Sequence, residues 1–226
     1  MILSALLLGA MSPVQPPVVV APPSPVPVLS FDIAGEGYSM PVPTGYCRTR
    51  NLPALYTRDE TNEAGVVLAK LAFVFLCDTV GKGPNDQDFI YLKYLKNYDP
   101  PQRTREELLA VLTKKMGSQE YVERQESPEY VAQIERKTEA QTGAQIEAEF
   151  AVTPLGRDEL CVYTGQVMTV AAKRDAAKIR AVSCVTLFNG KIVTIDIASS
   201  MDRGLSFVAL RDKLYRVVAS IEKVES

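Results

Sequence analysis

The sequence predicts an α+β domain: a mainly antiparallel β-sheet with a C-terminal meander, packed by helices that include a C-terminal amphipathic one. Three observations lead there. Asn189-Gly190 sits between two β-prone runs and is the strongest short hairpin signal a sequence offers. Phe207, Leu210, Leu214, Val217, Val218 and Ile221 recur at helical spacing. Thr104 followed by acidic residues, and Ser127-Pro128-Glu129, are helix start signals.

Taken in order, Phe31 to Val42 alternates weakly and ends at Pro41-Val42-Pro43, which suits a first, edge-located strand. Asn51 to Gly65 is polar and has room for a short helix. Val66 to Asp78 is apolar on both parities, as a buried central strand is; a buried helix is the competing reading. Gly81 to Asn85 reads as a loop, and Asp88 to Lys96 as a second strand making a hairpin with the first. Thr104 caps a helix with Glu106 and Glu107 in its first turn, a stripe of Leu108, Leu109, Leu112 and Met116, and a stop at Gly117. Ser127 caps a second helix with Pro128 at its first position; it carries Val131 and Ile134 but is otherwise polar, so it belongs on the surface.

In the C-terminal third, Ile146 to Val152 alternates, residues 154–158 turn, and Leu160 to Val170 is a strand. Residues 171–178 connect it to a strand from Ile179 to Phe188. A two-residue turn at Asn189-Gly190 sets the register: Phe188 opposite Lys191, Thr186 opposite Val193, Cys184 opposite Ile195, Val182 opposite Ile197. The core face then carries Val182, Cys184, Val193, Ile195 and Ile197. The other face mixes Ser183, Thr194 and Asp196 with Val185, Leu187 and Ile192 and is expected to be half covered.

Ahead of the domain, residues 1–11 form an apolar run with the character of a signal-peptide h-region, and residues 12–30 a proline-rich extended spacer. No charged side chain appears before Asp32, so the run lacks a basic n-region, and Gly9-Ala10 is a poor cleavage site. The run is shorter than the roughly 20 apolar residues a membrane span needs. Residues 31–226 read as a single domain, periplasmic or secreted. A disordered tail on a cytosolic protein is the alternative.

Net charge is −2 and histidine is absent. The charge gives no general pull toward nucleic acid, and the one basic cluster, Arg48-Thr49-Arg50, lacks stacking aromatics around it. Without histidine, Ser-His-Asp and Cys-His mechanisms are excluded. No cofactor and no metal is implied.

Cys47, Cys77, Cys161 and Cys184 are not arranged as C-x-x-C, so zinc-ribbon and thioredoxin readings fail. Four cysteines allow three connectivities; the favoured one is Cys47–Cys77 with Cys161–Cys184, each closing a loop of a few tens of residues. Four buried thiols are the alternative if the chain is not exported.

Residues Pro41-Val42-Pro43-Thr44-Gly45-Tyr46-Cys47, then Val67-Leu68-Ala69 leading to Leu76-Cys77-Asp78, resemble a set of bacterial exported proteins. In those proteins a P-x-GYC segment precedes an apolar strand ending near a second cysteine. Residues 154–158, Cys161 to Gly165 and Ala181 to Lys191 are similar to the same set. The resemblance implies export and a Cys47–Cys77 bridge. It implies no activity and no site. At fold level only, strands followed by a closing C-terminal helix resemble the Mog1/PsbP-type α–β–α sandwich, which leaves function open.

Candidate chemistry is thin. Asp86-Gln87-Asp88 places two carboxylates at i, i+2 but lacks the glycine and later glutamate of a calcium loop. Ser220-Ile221-Glu222-Lys223 matches Ser-x-x-Lys without its companion motifs. Asp158, Glu159 and Asp99 are carboxylates with no sequence-evident partner across a cleft. Gly81-Lys82-Gly83 is too little for a phosphate loop. Tyr91, Tyr94 and Tyr98 are a candidate binding surface, weighed against packing within the sheet. The leading expectation is a non-enzymatic envelope accessory protein that binds an envelope protein partner through its sheet face or its helical segment, Thr104 to Glu149. A carrier of a small apolar ligand and a hydrolase with a carboxylate or Ser-Lys site are the alternatives.

Overall fold

The structure, a computed structural model, describes residues 26–48, 59–61, 65–79, 88–102, 104–142, 145–172 and 175–224. The apolar run, most of the spacer, the polar segment 49–58 and the 80–87 loop lie outside the described residues.

The strands are β1 (Val28–Ile33), β2 (Glu36–Pro41), β3 (Tyr46–Cys47), β4 (Glu60–Thr61), β5 (Val67–Leu76), β6 (Phe89–Leu95), β7 (Ile146–Arg157), β8 (Val162–Ala172), β9 (Asp175–Phe188), β10 (Lys191–Ser200) and β11 (Glu222–Lys223). The helices are α1 (Arg105–Met116), α2 (Gln119–Gln125), α3 (Pro128–Thr142) and α4 (Phe207–Ala219). The large sheet runs β3-β5-β6-β10-β9-β8-β7, with β4 also on β5; a small sheet runs β1-β2-β11. Every pairing is antiparallel.

The register predicted around Asn189-Gly190 is present: Phe188 opposite Lys191, Cys184 opposite Ile195, Val182 opposite Ile197. Both turn residues have positive φ, 46° and 69°, the left-handed pair that a type I′ turn requires. Period-two alternation then lines up apolar rows across the sheet. One row is Val74, Ile90, Ile197, Val182; the next is Ala72, Leu92, Ile195, Cys184, Tyr163. Gly165 ends the first row, and a Cβ there would meet the Phe207 ring at 2.8 Å. Its glycine lets the first turn of α4 settle onto β8.

This face is covered by α4 and by the small sheet, which share one core. Leu210 and Leu214 of α4 are fully buried with Leu29, Ile33 and Met40 of the hairpin. Each such side chain contributes roughly 1.5–3 kcal/mol. The other face carries a second cluster of Leu109 and Met116 from α1 against Val162, with Val185 beside it. Thr104 and Glu107 close a reciprocal capping box at the start of α1. Gly117 ends it in the right-handed region, where a Cβ would meet the Thr113 carbonyl at 2.8 Å.

Strand β7 is an edge of the large sheet, and two of its outer N–H groups are met by carboxylates. Glu126 accepts from Val152 N at 2.6 Å and Glu135 from Ala148 N at 2.7 Å. Pro154, next on that side, has no N–H. An edge managed this way is poorly suited to pairing with another chain.

Two bridges cross-link the large sheet, Cys47–Cys77 at the ends of β3 and β5 and Cys161–Cys184 from the start of β8 into β9, with no free cysteine. Each is worth about 2–4 kcal/mol.

Several expectations need correction. The single strand expected over residues 31–42 is a hairpin turning at Ala34-Gly35, both at positive φ. Strand pairing begins at Val28, inside the stretch read as spacer. Within the polar segment 51–65, Glu60–Thr61 is a short strand, and most of the stretch where a short helix was expected lies outside the described residues. The turn expected at 154–158 is the end of β7, with a register shift between Pro154 and Arg157; an edge strand tolerates proline. The connection expected over 171–178 is strand as well, so β8 and β9 form one long hairpin.

Candidate functional site

Asp88 stands one residue before β6. Leu76 N donates to its carbonyl at 2.8 Å, which zips the residue to the end of β5. Its carboxylate is 3% exposed. One oxygen accepts from Ser200 N at 3.0 Å at the end of β10, and the other lies 2.8 Å from Arg203 Nε. Arg203 belongs to the 3-10 turn Met201–Arg203, which Gly204 closes at φ 66°. Its Nη2 also donates to Asp78 at 3.2 Å. Sheet end and turn are thereby locked together by one buried carboxylate.

Tyr46 and Lys213 lie beside this node. Burial pushes the Tyr46 phenol well above its ordinary range, and the Asp88 charge adds to that. The Lys213 ammonium, on α4, is 4.6 Å from the Tyr46 ring centroid. That is a cation–π distance. Burial holds the Lys213 amine below its usual range; Asp88 works against this, while Arg203 and Arg216 reinforce it. Lys213 forms no ion pair among the described residues. Next to it, Pro41, Pro43 and Thr44 face Arg216, Val217 and Ser220 across a groove of about 340 Å³.

A second polar assembly lies on the opposite face of the sheet. Lys70 and Lys93 are directly paired across β5 and β6. Like charges so placed repel. Each has its own carboxylate: Glu60 2.6 Å from Lys70, and Asp196 2.6 Å from Lys93. Ser183 donates to the other Asp196 oxygen at 2.6 Å. Both ammonium groups approach the Tyr91 ring, at 5.9 and 5.3 Å from its centroid.

The three tyrosines singled out from the sequence are not brought together. Tyr91 belongs to this polar assembly, Tyr94 is buried on the core face, and Tyr98 is exposed beyond the strand. A spacing of three places Tyr91 and Tyr94 on opposite sides of any strand.

The candidate catalytic groups are each held elsewhere. Ser220 Oγ donates to the Val217 carbonyl at 2.8 Å, and Lys223 lies 2.8 Å from Glu36, so no Ser-Lys pair assembles. Asp158 accepts from Leu160 N and Cys161 N, both at 2.9 Å, holding the β7–β8 turn. Glu159 accepts from the Tyr215 hydroxyl at 2.7 Å. That bond keeps the Glu159 carboxyl below its usual range, the wrong direction for a general acid. Asp99 pairs with Lys191. Of Asp86-Gln87-Asp88, the first two lie outside the described residues and Asp88 is consumed by Arg203. Gly81-Lys82-Gly83 also lies outside them. Among the described residues no group of three or more acidic or cysteine side chains is placed to hold a metal ion, and no helix is long and apolar enough to cross a membrane.

Sequence reasoning missed the Asp88–Arg203 node and the groove. Both join segments far apart in the chain, and neither leaves a local motif.

No protein-family model matches the chain, and no curated protein matches it. Among solved structures, the chain is similar to cyanobacterial PsbP (CyanoP) from Synechocystis sp. PCC 6803, with 12% identity, coverage of 91% of this chain and 97% of that one, and a TM-score of 0.35.

Proposed function

We propose that this is an exported, non-enzymatic accessory protein of the bacterial cell envelope that docks another envelope protein. The observation that carries the reading is the pair of disulfides using all four cysteines. Such bridges form and persist in oxidising compartments. The engagement of Ser220, Lys223, Asp158, Glu159 and Asp99 in structural contacts supports the non-enzymatic part. The exposed sides of α1 to α3 and the half-covered face of the large sheet are the surfaces offered to a partner.

The experiment is crosslinking of the native protein in intact cells, followed by mass spectrometry. One envelope protein recovered through crosslinks in residues 104–149 or on the outer sheet face supports the reading. Crosslinks scattered over the surface, or four alkylatable thiols in the denatured native protein, would overturn it.

A further inference from the structure

We propose that the groove between residues 41–44 and α4 binds a small organic anion, a carboxylate head on a short apolar body, with Lys213 as its charge partner. This inference does not depend on the docking role above.

Charge is the first argument. Arg203 and Arg216 are each close enough to Lys213 to oppose its charge, and the carboxylate that favours it is Asp88. Asp88 is already satisfied by Arg203 and by Ser200 N. Arg216 uses its Nε on the Asp212 carbonyl of its own helix. Neither Lys213 nor Arg216 has a carboxylate within ion-pair distance among the described residues. A concave cluster with excess positive charge concentrates anions.

Shape is the second. Pro41, Pro43 and Val217 give the groove apolar walls, while Thr44 and Ser220 add hydroxyls beside the cations. At about 340 Å³ it falls at the small end of ligand sites. Apolar walls with a cation to one side fit an amphiphilic acid better than a fully hydrated ion. Lys213 is also pre-placed. Its stem is half buried and its ammonium lies over Tyr46, so little side-chain freedom remains to be lost on binding.

The test uses the oxidised protein and amide-resolved NMR, with hexanoate, hexanamide and inorganic phosphate as probes. Hexanoate is expected to shift Thr44, Val217 and Ser220 saturably and to raise the Lys213 amine pKa. Hexanamide should do neither, and phosphate should bind about tenfold more weakly. Lys213→Met should weaken hexanoate about tenfold, and Lys213→Arg should retain it. Arg216→Met gives an independent check if Lys213→Met does not fold, and it too should weaken hexanoate. Equal binding of hexanoate and hexanamide, phosphate as tight as hexanoate, or full hexanoate affinity in a folded variant lacking either cation overturns the proposal.

Discussion

Asp88 reaches Arg203 across the end of the large sheet, with Oδ2 2.8 Å from Nε and the carboxylate almost wholly buried. The two partners are not equivalent. Asp88 is 3% exposed and Arg203 34%. Removing the arginine strands a charge in the interior; removing the carboxylate frees an arginine that water and Asp78 can still serve.

The expected order of damage is therefore Arg203→Met worse than Asp88→Asn. The first should cost about 2–4 kcal/mol and the second about 1–2, because asparagine keeps an acceptor for Ser200 N. Urea denaturation of both variants reads this. An equal or reversed order would show that the node is not organised around the buried carboxylate.

Gly190→Val should destabilise by roughly 1–3 kcal/mol, the usual range for strained backbone. A Cβ at Gly190 meets nothing within 4 Å, so the cost is purely conformational. Asn189 adds a second role, because its amide donates to the Ile33 carbonyl at 3.1 Å and so ties this turn to the β1–β2 turn. Asn189→Gly should keep the turn and lose only that tie, costing less than Gly190→Val. Paired denaturation curves decide it. An unchanged midpoint in Gly190→Val would mean the turn does not set the register.

Glu126→Ala with Glu135→Ala should expose the outer N–H groups of β7 and raise self-association above wild type. The glutamine double variant, which keeps side-chain acceptors, should not. Sedimentation velocity over a concentration series distinguishes them. Identical profiles for alanine and glutamine variants would remove the carboxylates from the edge's defence.

Alkaline stability follows from the tyrosines. Burial, the largest cause in each case, raises the phenols of Tyr46 and Tyr163 well above their ordinary range. Below about pH 10 both folded and unfolded chains keep these protons, and nothing changes. Above it the unfolded chain releases protons that the folded chain retains. The folded state then binds more protons, so stability falls as pH rises. Tyrosinate absorbance should lack these two groups in the native protein and gain them abruptly at unfolding. A smooth titration of every tyrosine without unfolding contradicts this.

What the sequence showed depended on distance along the chain. The Asn189-Gly190 register and the α4 stripe were legible because turn chemistry and helical period are local. The hairpin at Ala34-Gly35 was hidden because alanine is a rare occupant of positive φ, so the pair does not read as a turn; the switch of buried positions from odd in β1 to even in β2 was its one trace. Helix α2 spans two turns and buries no residue fully, so its pattern is weak. Strand β11 is two residues long and exists only through its pairing with β2. The groove joins residues 41–44 to residues 213–220, and no spacing rule connects them.

The small sheet unites segments far apart along the chain. Glu222 pairs with Ser39, and the apolar side chains of β1 and β2 share their core with α4. The hairpin is made before the helix that covers it. Closure over such separation is slow. In the interval Leu29, Phe31, Ile33 and Met40 lack the side of their core that α4 supplies. A chain truncated before α4 leaves that strip partly uncovered. The packing of the β1–β2 hairpin is therefore conditional on a helix made long after it.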